Sequence, residues 1–299
     1  TCYRIPTIIR SPKNTLVAFA ENRKKNCKDM GDHDIVLRRS SDRGKTWGKM
    51  VTVAKGKGAP FSNANPVAVG NRILVHFVTQ NNPKGSQHGY AMQTWSKDDG
   101  QSWSAPTKVK FTNAANAGKL IGPSVGIVSS NNTIYFVTHS TGTAQLYWSN
   151  NNGGSWTVSP RGVKGMNECS IAFLVSPADG RIAMNCRTSK GNRALTVWSR
   201  DGKIIGGTTY VKGMSDPNCQ GSIILANNKL WVSHPNSKKS RENMIVQESG
   251  NQGKTWSSGI EVNRGPAAYS QLVNMGGATK FLGLAYETVK GNITFKVVK

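Results

Sequence analysis

The chain has 299 residues, 37% of them hydrophobic, with 39 basic side chains against 15 acidic ones for a formal net charge of +24. No run approaches the roughly 18 apolar residues that a membrane span needs, and no zinc pattern, phosphate loop or glycine-rich dinucleotide turn is present, so neither a metal nor a cofactor is expected. The charge favours polyanionic partners, nucleic acid, anionic membranes or acidic glycans, or else is a solvated basic surface; the densest basic runs, "RKKNCK" (23–28) and "SKKSR" (237–241), lack the aromatic interleaving of a single-strand nucleic-acid channel, and nucleic acid is not expected.

The chain opens on "TCYRIPTII", with no starting Met and no signal peptide, and reads as a trimmed chain whose targeting history is lost. Arg4 stands at the head of a strand-like run. Next comes "AFAENRKKNCKDMGDHDIVLRRS" (18–40), whose loop holds Glu21, Arg23, Asp29, Asp32 and Asp34, four of the scarce acids within fourteen residues. The run ends in "SSDRGKTW", and that pattern returns as "SKDDGQSW", "SNNNGGSW" and "SGNQGKTW", starting at Ser40, Ser96, Ser149 and Ser249, with a decayed "SRDGK" at Ser199. S-x-D/N-x-G-x-T/S-W makes a hairpin turn: Asp or Asn accepts turn amides, Gly supplies a positive φ, and Trp packs the turn onto the sheet. Alternating runs such as "DIVLRRS", "AMQTWS", "AQLYWS" and "ALTVWS" precede the turns, as strands with one buried face do. A unit of about 50 residues built only of strand and turn predicts an all-β fold, a six-bladed β-propeller of four-stranded antiparallel blades forming a single domain over residues 1–299.

A propeller gathers residues from many blades at one face of its axis. The remaining motifs are "SNANPVAV" with Asn65, "GPSVG" (122–126), "GMNECSIAFL" with Glu168, "NCR" with Arg187, "HPNSKKSR" with Arg241, "AYS" with Tyr269 and "LAYE" with Glu287. Glu168 poses the sharpest question, because carboxylates are rarely placed on a buried strand without a partner. Five cysteines are an odd number and imply no disulfide framework. If Glu168 and Arg187 lie on adjoining strands, Cys169 and Cys186 fall on neighbouring positions, as a disulfide or as two packed thiols. Cys2, Cys27 and Cys219 have no obvious partners. Sequons at Asn131 and Asn292 lean toward a secreted or extracellular protein.

In order along the chain, "YRIP", the acidic loop, "NEC", "NCR", "HP…SR", "AYS" and "LAYE", set on the Trp turns known as Asp boxes, resemble the sialidase (neuraminidase) superfamily, and its animal-type branch closely. The resemblance implies a glycan ending in sialic acid as substrate, its carboxylate held by Arg4, Arg187 and Arg241, since guanidinium groups donate paired hydrogen bonds and stay charged. It implies Glu287 as the brace of the first arginine, Arg23 as a further pocket residue, Glu21 in support, and Asn65 at the sugar. It implies Asp29 as general acid/base and Tyr269 as nucleophile, with Glu168 taking the phenol proton. A tyrosine is the known departure of sialidases from the two-carboxylate scheme, and a neutral phenol avoids the repulsion between a carboxylate nucleophile and the sugar's own carboxylate. Asp32, Asp34, His33 and His234 are expected to be scaffold. The expected activity is a retaining exo-α-sialidase on sialylated glycans; a trans-sialidase uses the same set, with Tyr90, Trp95 and Tyr210 as rim candidates for acceptor control, and a sialic-acid-binding lectin or a nucleic-acid-binding propeller are the alternatives from other classes. Oligomeric state and linkage preference are not legible.

Overall fold

The recurring turn is closed by its own side chains. In the computed structural model, which describes residues 1–80, 89–113, 120–140, 142–277, 281–288 and 291–298, the Asp42 carboxylate accepts from the Thr46 amide at 2.9 Å and the Thr46 hydroxyl at 2.6 Å, while the Ser40 hydroxyl accepts from the Gly44 amide at 2.7 Å. Arg43 and Gly44 both take left-handed φ values, +63° and +83°. The amide bond recurs at Asp98, Asn151 and Asn251, and in the two Asn turns the side-chain NH2 donates to the hydroxyl instead. The hydroxyl and amide of Thr46, then the Ser40 hydroxyl, hold the Asp42 carboxyl down to about 2. The decayed copy keeps the bond from the Lys203 amide to the Ser199 hydroxyl at 3.1 Å but has no Trp after it.

Each turn joins the third and fourth strands of an antiparallel sheet, and the sheets follow chain order. The first contains β1 (Cys2–Arg10), β2 (Leu16–Arg23), β3 (His33–Ser40) and β4 (Val51–Ala54); the second β5 (Phe61–Val69), β6 (Arg72–Gln80), β7 (Gly89–Ser96) and β8 (Thr107–Lys108). In the third, a broken inner strand, β9 (Leu120–Ile121) and β10 (Ile127–Val128), pairs with β11 (Ile134–Ser140). Its neighbour β12 (Thr143–Ser149) pairs with a broken outer strand, β13 (Thr157–Val158) and β14 (Val163–Lys164). The fourth runs β15 (Cys169–Phe173), β16 (Ile182–Cys186), β17 (Asn192–Trp198) and β18 (Ile204–Ser215); the fifth β19 (Ser222–Ala226), β20 (Lys229–Pro235), β21 (Glu242–Ser249) and β22 (Ile260–Pro266). The sixth shows β23 (Ser270–Asn274), β24 (Leu282–Glu287) and β25 (Ile293–Val298) among the described residues. Inner strands β1, β5, β10, β15, β19 and β23 touch one another in sequence, and β23 returns to β1, which closes a six-bladed propeller.

The turn tryptophans hold the ring. Trp103 meets Phe19 of the preceding blade edge-on at 5.9 Å, and Trp47 meets Phe295 of the sixth blade at 5.3 Å. Trp156, fully buried, packs on His76 and donates to Gln93, both in the blade before it. Truncating so large a buried ring costs about 3–5 kcal/mol. The inner strands are mostly buried, fully so in "CSIAF" of β15, because each is covered by its neighbours on both sides. Their starts therefore converge at one end of the axis, and residues placed there from different blades come into contact.

Candidate active site

Arg4 reaches this end through an irregular strand. The pairing of β1 with β2 shifts between Arg4 and Thr7, and Ile5 takes φ +57°, a conformation a β-branched residue rarely adopts and that costs about 1–3 kcal/mol. Such a bulge re-aims a side chain. Its compensation is Glu287 at the end of β24, which accepts from the Ile5 amide at 2.8 Å and takes Arg4 with both oxygens, 2.8 Å from Nε and 3.1 Å from NH2. Burial opposes the Arg4 cation, but the Glu287 carboxylate outweighs it and raises the guanidinium pKa. Glu287 also receives the Tyr269 amide at 3.4 Å. One carboxylate thus fixes an arginine and the backbone that carries a tyrosine.

Glu168 precedes β15 and Arg187 follows β16; the two residues face each other through a backbone bond of 2.9 Å from the Arg187 amide. Glu168 Oε1 accepts from the Tyr269 hydroxyl at 2.5 Å and Oε2 accepts from Arg187 at 2.6 Å, while the same Arg187 nitrogen lies 3.2 Å from the Tyr269 oxygen. The carboxylate that looked misplaced has two partners, one of them 101 residues away. Burial pushes the Tyr269 phenol pKa well above its ordinary value and the Glu168 charge pushes it further, with Arg187 opposing both. The phenol is therefore neutral at rest, with a proton acceptor already in contact. The guanidinium groups of Arg4 and Arg241 lie 5.3 and 5.5 Å from the Tyr269 ring centroid. Arg4, Arg187 and Arg241 so surround one tyrosine.

Asp29, in the β2–β3 loop, is 84% exposed at its side chain; it accepts from Arg23 at 2.8 Å and lies 3.8 Å from Arg4. Arg23 is itself buried, gripped by Glu21 at 2.7 Å and by the Cys27 carbonyl at 2.7 Å. Burial raises the Glu21 pKa against the pull of Arg23, and the second Glu21 oxygen accepts the Asn63 amide at 2.8 Å. Arg4, Cys27, Arg241 and Glu287 line an open cleft of about 230 Å³. Two larger hollows lie elsewhere: an apolar one of about 340 Å³ at the far ends of the inner strands, and a groove of about 520 Å³ between the first and sixth blades. Among the described residues neither is lined by a carboxylate, whereas the smaller cleft is lined by Glu287 and two arginines and adjoins Tyr269 through Ala268.

Several expectations resolve differently. Cys2 and Cys27 are joined by a disulfide, correcting the reading that neither had a partner; the bond ties the acidic loop to β1. No local signal marked it, because Cys27 lies in a loop outside the repeat. Cys169 and Cys186 are register partners and are also bonded. Cys219 remains a buried thiol pushed up to about 12 by burial. Asn65 is not at the cleft among these contacts: it is buried, donates to the Asn63 carbonyl at 2.6 Å and accepts from the Ser124 amide at 2.9 Å, joining the second and third blades. Asp32 and Asp34 pair with Lys24, His234 bonds Gln247, and His33 is buried at the start of β3. Asn218 was missed; it touches two of the three arginines, and nothing in "DPNCQ" signals it.

Residues 14–282 match the family model described as a BNR repeat-like domain. The chain belongs to that family. Sialidases from Bacteroides fragilis and Micromonospora viridifaciens are 28% and 27% identical to it over 99% and 97% of its length. The fold of the Hadza microbial sialidase Hz136 superposes with a TM-score of 0.85 at 22% identity, covering all of this chain and 66% of that one. The BNR repeats, the sialidase relatives and the shared propeller together set the chain within the sialidase superfamily. This propeller spans 62% and 50% of the two curated relatives.

Proposed function

We propose that this propeller is a retaining exo-α-sialidase that removes terminal sialic acid from sialylated glycans. The observation that carries the reading is the Glu168–Tyr269 hydrogen bond inside a ring of three arginines. Glu287 pairs Arg4 and Glu168 pairs Arg187, but among the described residues Arg241 has no carboxylate within ion-pair distance, so the three guanidinium groups keep donors and positive charge for a further anion, and a sugar carboxylate on the anomeric carbon is such an anion. With that carboxylate on Arg4, Arg187 and Arg241, the anomeric carbon comes next to the phenol.

Tyr269 then attacks that carbon as its proton passes to Glu168, and the carbon–oxygen bond to the aglycone breaks. Asp29 protonates the departing oxygen. In the second half Asp29 takes a proton from water, the water oxygen bonds to the carbon, and the phenolate leaves and recovers its proton from Glu168. Two displacements retain configuration. Arg187, in contact with both Glu168 and the phenol oxygen, steadies negative charge wherever it lies between them. The curated relatives named sialidase support the substrate class, and the sequons support an extracellular setting.

Mass spectrometry of products from sialyllactose tests the reaction. Free sialic acid as the sole sugar product is expected. A product lighter by one water would mean that the sugar closes on itself, and binding without turnover would mean a lectin.

A further inference from the structure

The second and third arginines are held by a single residue that no motif marked. Asn218 lies between β18 and β19. Its side-chain Oδ1 accepts from Arg187 Nε at 2.6 Å, and its backbone carbonyl accepts from Arg241 NH2 at 3.0 Å. Its φ is +57°, which aims the carbonyl and the side chain at different arginines. The loop is anchored from beneath. Asp216, buried, accepts from the Cys219 amide at 2.8 Å and the Thr188 amide at 3.1 Å, so it ties the loop to the strand end carrying Arg187. Arg193, fully buried, donates to the Cys219 carbonyl at 2.8 Å and lies 3.5 Å from Asp216.

We infer that Asn218 is a positioning residue that sets Arg187 and Arg241 at a common angle and spacing for one carboxylate, with the Arg193–Asp216 pair as its rigid base. The physical case is the conformational entropy of long side chains. Glu168 and Tyr269 hold Arg187 at NH1 alone, so the Asn218 contact at Nε is the second point that fixes the plane of that guanidinium, and on exposed Arg241 the Asn218 carbonyl supplies a hydrogen bond that orients it. Ordering both before the ligand arrives removes a cost from binding. The inference rests on the sialoside reading.

Asn218→Gly isolates the effect, because glycine takes the same left-handed backbone and keeps the carbonyl for Arg241 while deleting the acceptor for Arg187. Calorimetric binding of a dehydrated sialic acid analogue is the assay. Loss of one hydrogen bond to a charged donor should weaken the wild-type affinity about tenfold, with an unchanged thermal midpoint. In an Arg187→Lys background, which keeps the charge but has no Nε–H, the same substitution should change affinity less than about twofold, since the contact is already gone. Equal weakening in both backgrounds, or no weakening in the wild type, would overturn the inference. A wild-type protein that neither binds the analogue nor cleaves sialosides would instead remove the sialoside reading, and the positioning role with it.

Discussion

Glu168→Gln separates the two jobs of one carboxylate. Gln keeps the shape and retains an oxygen for Arg187, now 2.6 Å from Glu168 Oε2, but turns an NH2 toward the Tyr269 hydroxyl, now 2.5 Å from Oε1. An amide cannot take the phenol proton. General-base assistance contributes about 10²–10⁴ in rate, or about 2.7–5.4 kcal/mol of barrier, and kcat on a fluorogenic sialoside should fall by that factor. The charge on Glu168 also raises the phenol pKa, so in the variant Tyr269 should ionise at lower pH, visible by ultraviolet titration. Affinity for a dehydrated analogue should hold or improve, because Arg187 loses an internal anion and keeps its charge for the ligand. A kcat within about fivefold of wild type would refute the assigned base, since that is below the range expected of general-base catalysis. A large rate loss accompanied by a lowered thermal midpoint would refute the separation of roles.

Cys27→Ser opens a disulfide spanning 25 positions, which by loop entropy contributes about 3.5 kcal/mol. The variant should melt earlier and lose kcat, because Asp29 lies two residues beyond the bond, and mild reduction of the wild type should do the same; an unchanged midpoint would contradict this. His76 and His234 are fully buried, and burial pulls their pKa values down to about 3 and about 4. Unfolded histidine binds its proton near pH 6.5, so the unfolded state holds more protons below that pH and stability falls as pH drops toward 4. Between pH 6.5 and 4.5 the loss amounts to about 2 kcal/mol for each histidine. Denaturant unfolding should show the loss over that window, and a flat profile would count against neutral burial.

The fold was legible because its signal is local and repeated. Ser, Asp or Asn, Gly and Trp act within eight residues, and four of the five turns close with the same bonds. The site was legible only through resemblance, since the Glu168–Tyr269 contact crosses 101 residues and two blades. Residues that hold the site by backbone geometry stayed hidden. The left-handed Ile5 amide on Glu287 has no sequence signature, and neither has the Asn218 carbonyl on Arg241. Asn65, in a pocket-like motif, has its amide engaged by the Asn63 carbonyl and the Ser124 amide, a long-range arrangement the motif does not show. Cys2 and Cys27 pair because the acidic loop folds back over β1, a long-range fact that cysteine counting cannot supply.

The central claim is that Tyr269 bonds to the sugar. Incubation with a 2,3-difluorinated sialic acid, whose electron-withdrawing fluorine slows release of the adduct, followed by peptide mass spectrometry, tests it directly. The predicted result is a sialyl adduct on the peptide containing Tyr269, absent from Tyr269→Phe. An adduct on any other residue, or none from a protein that cleaves sialosides, would contradict the account.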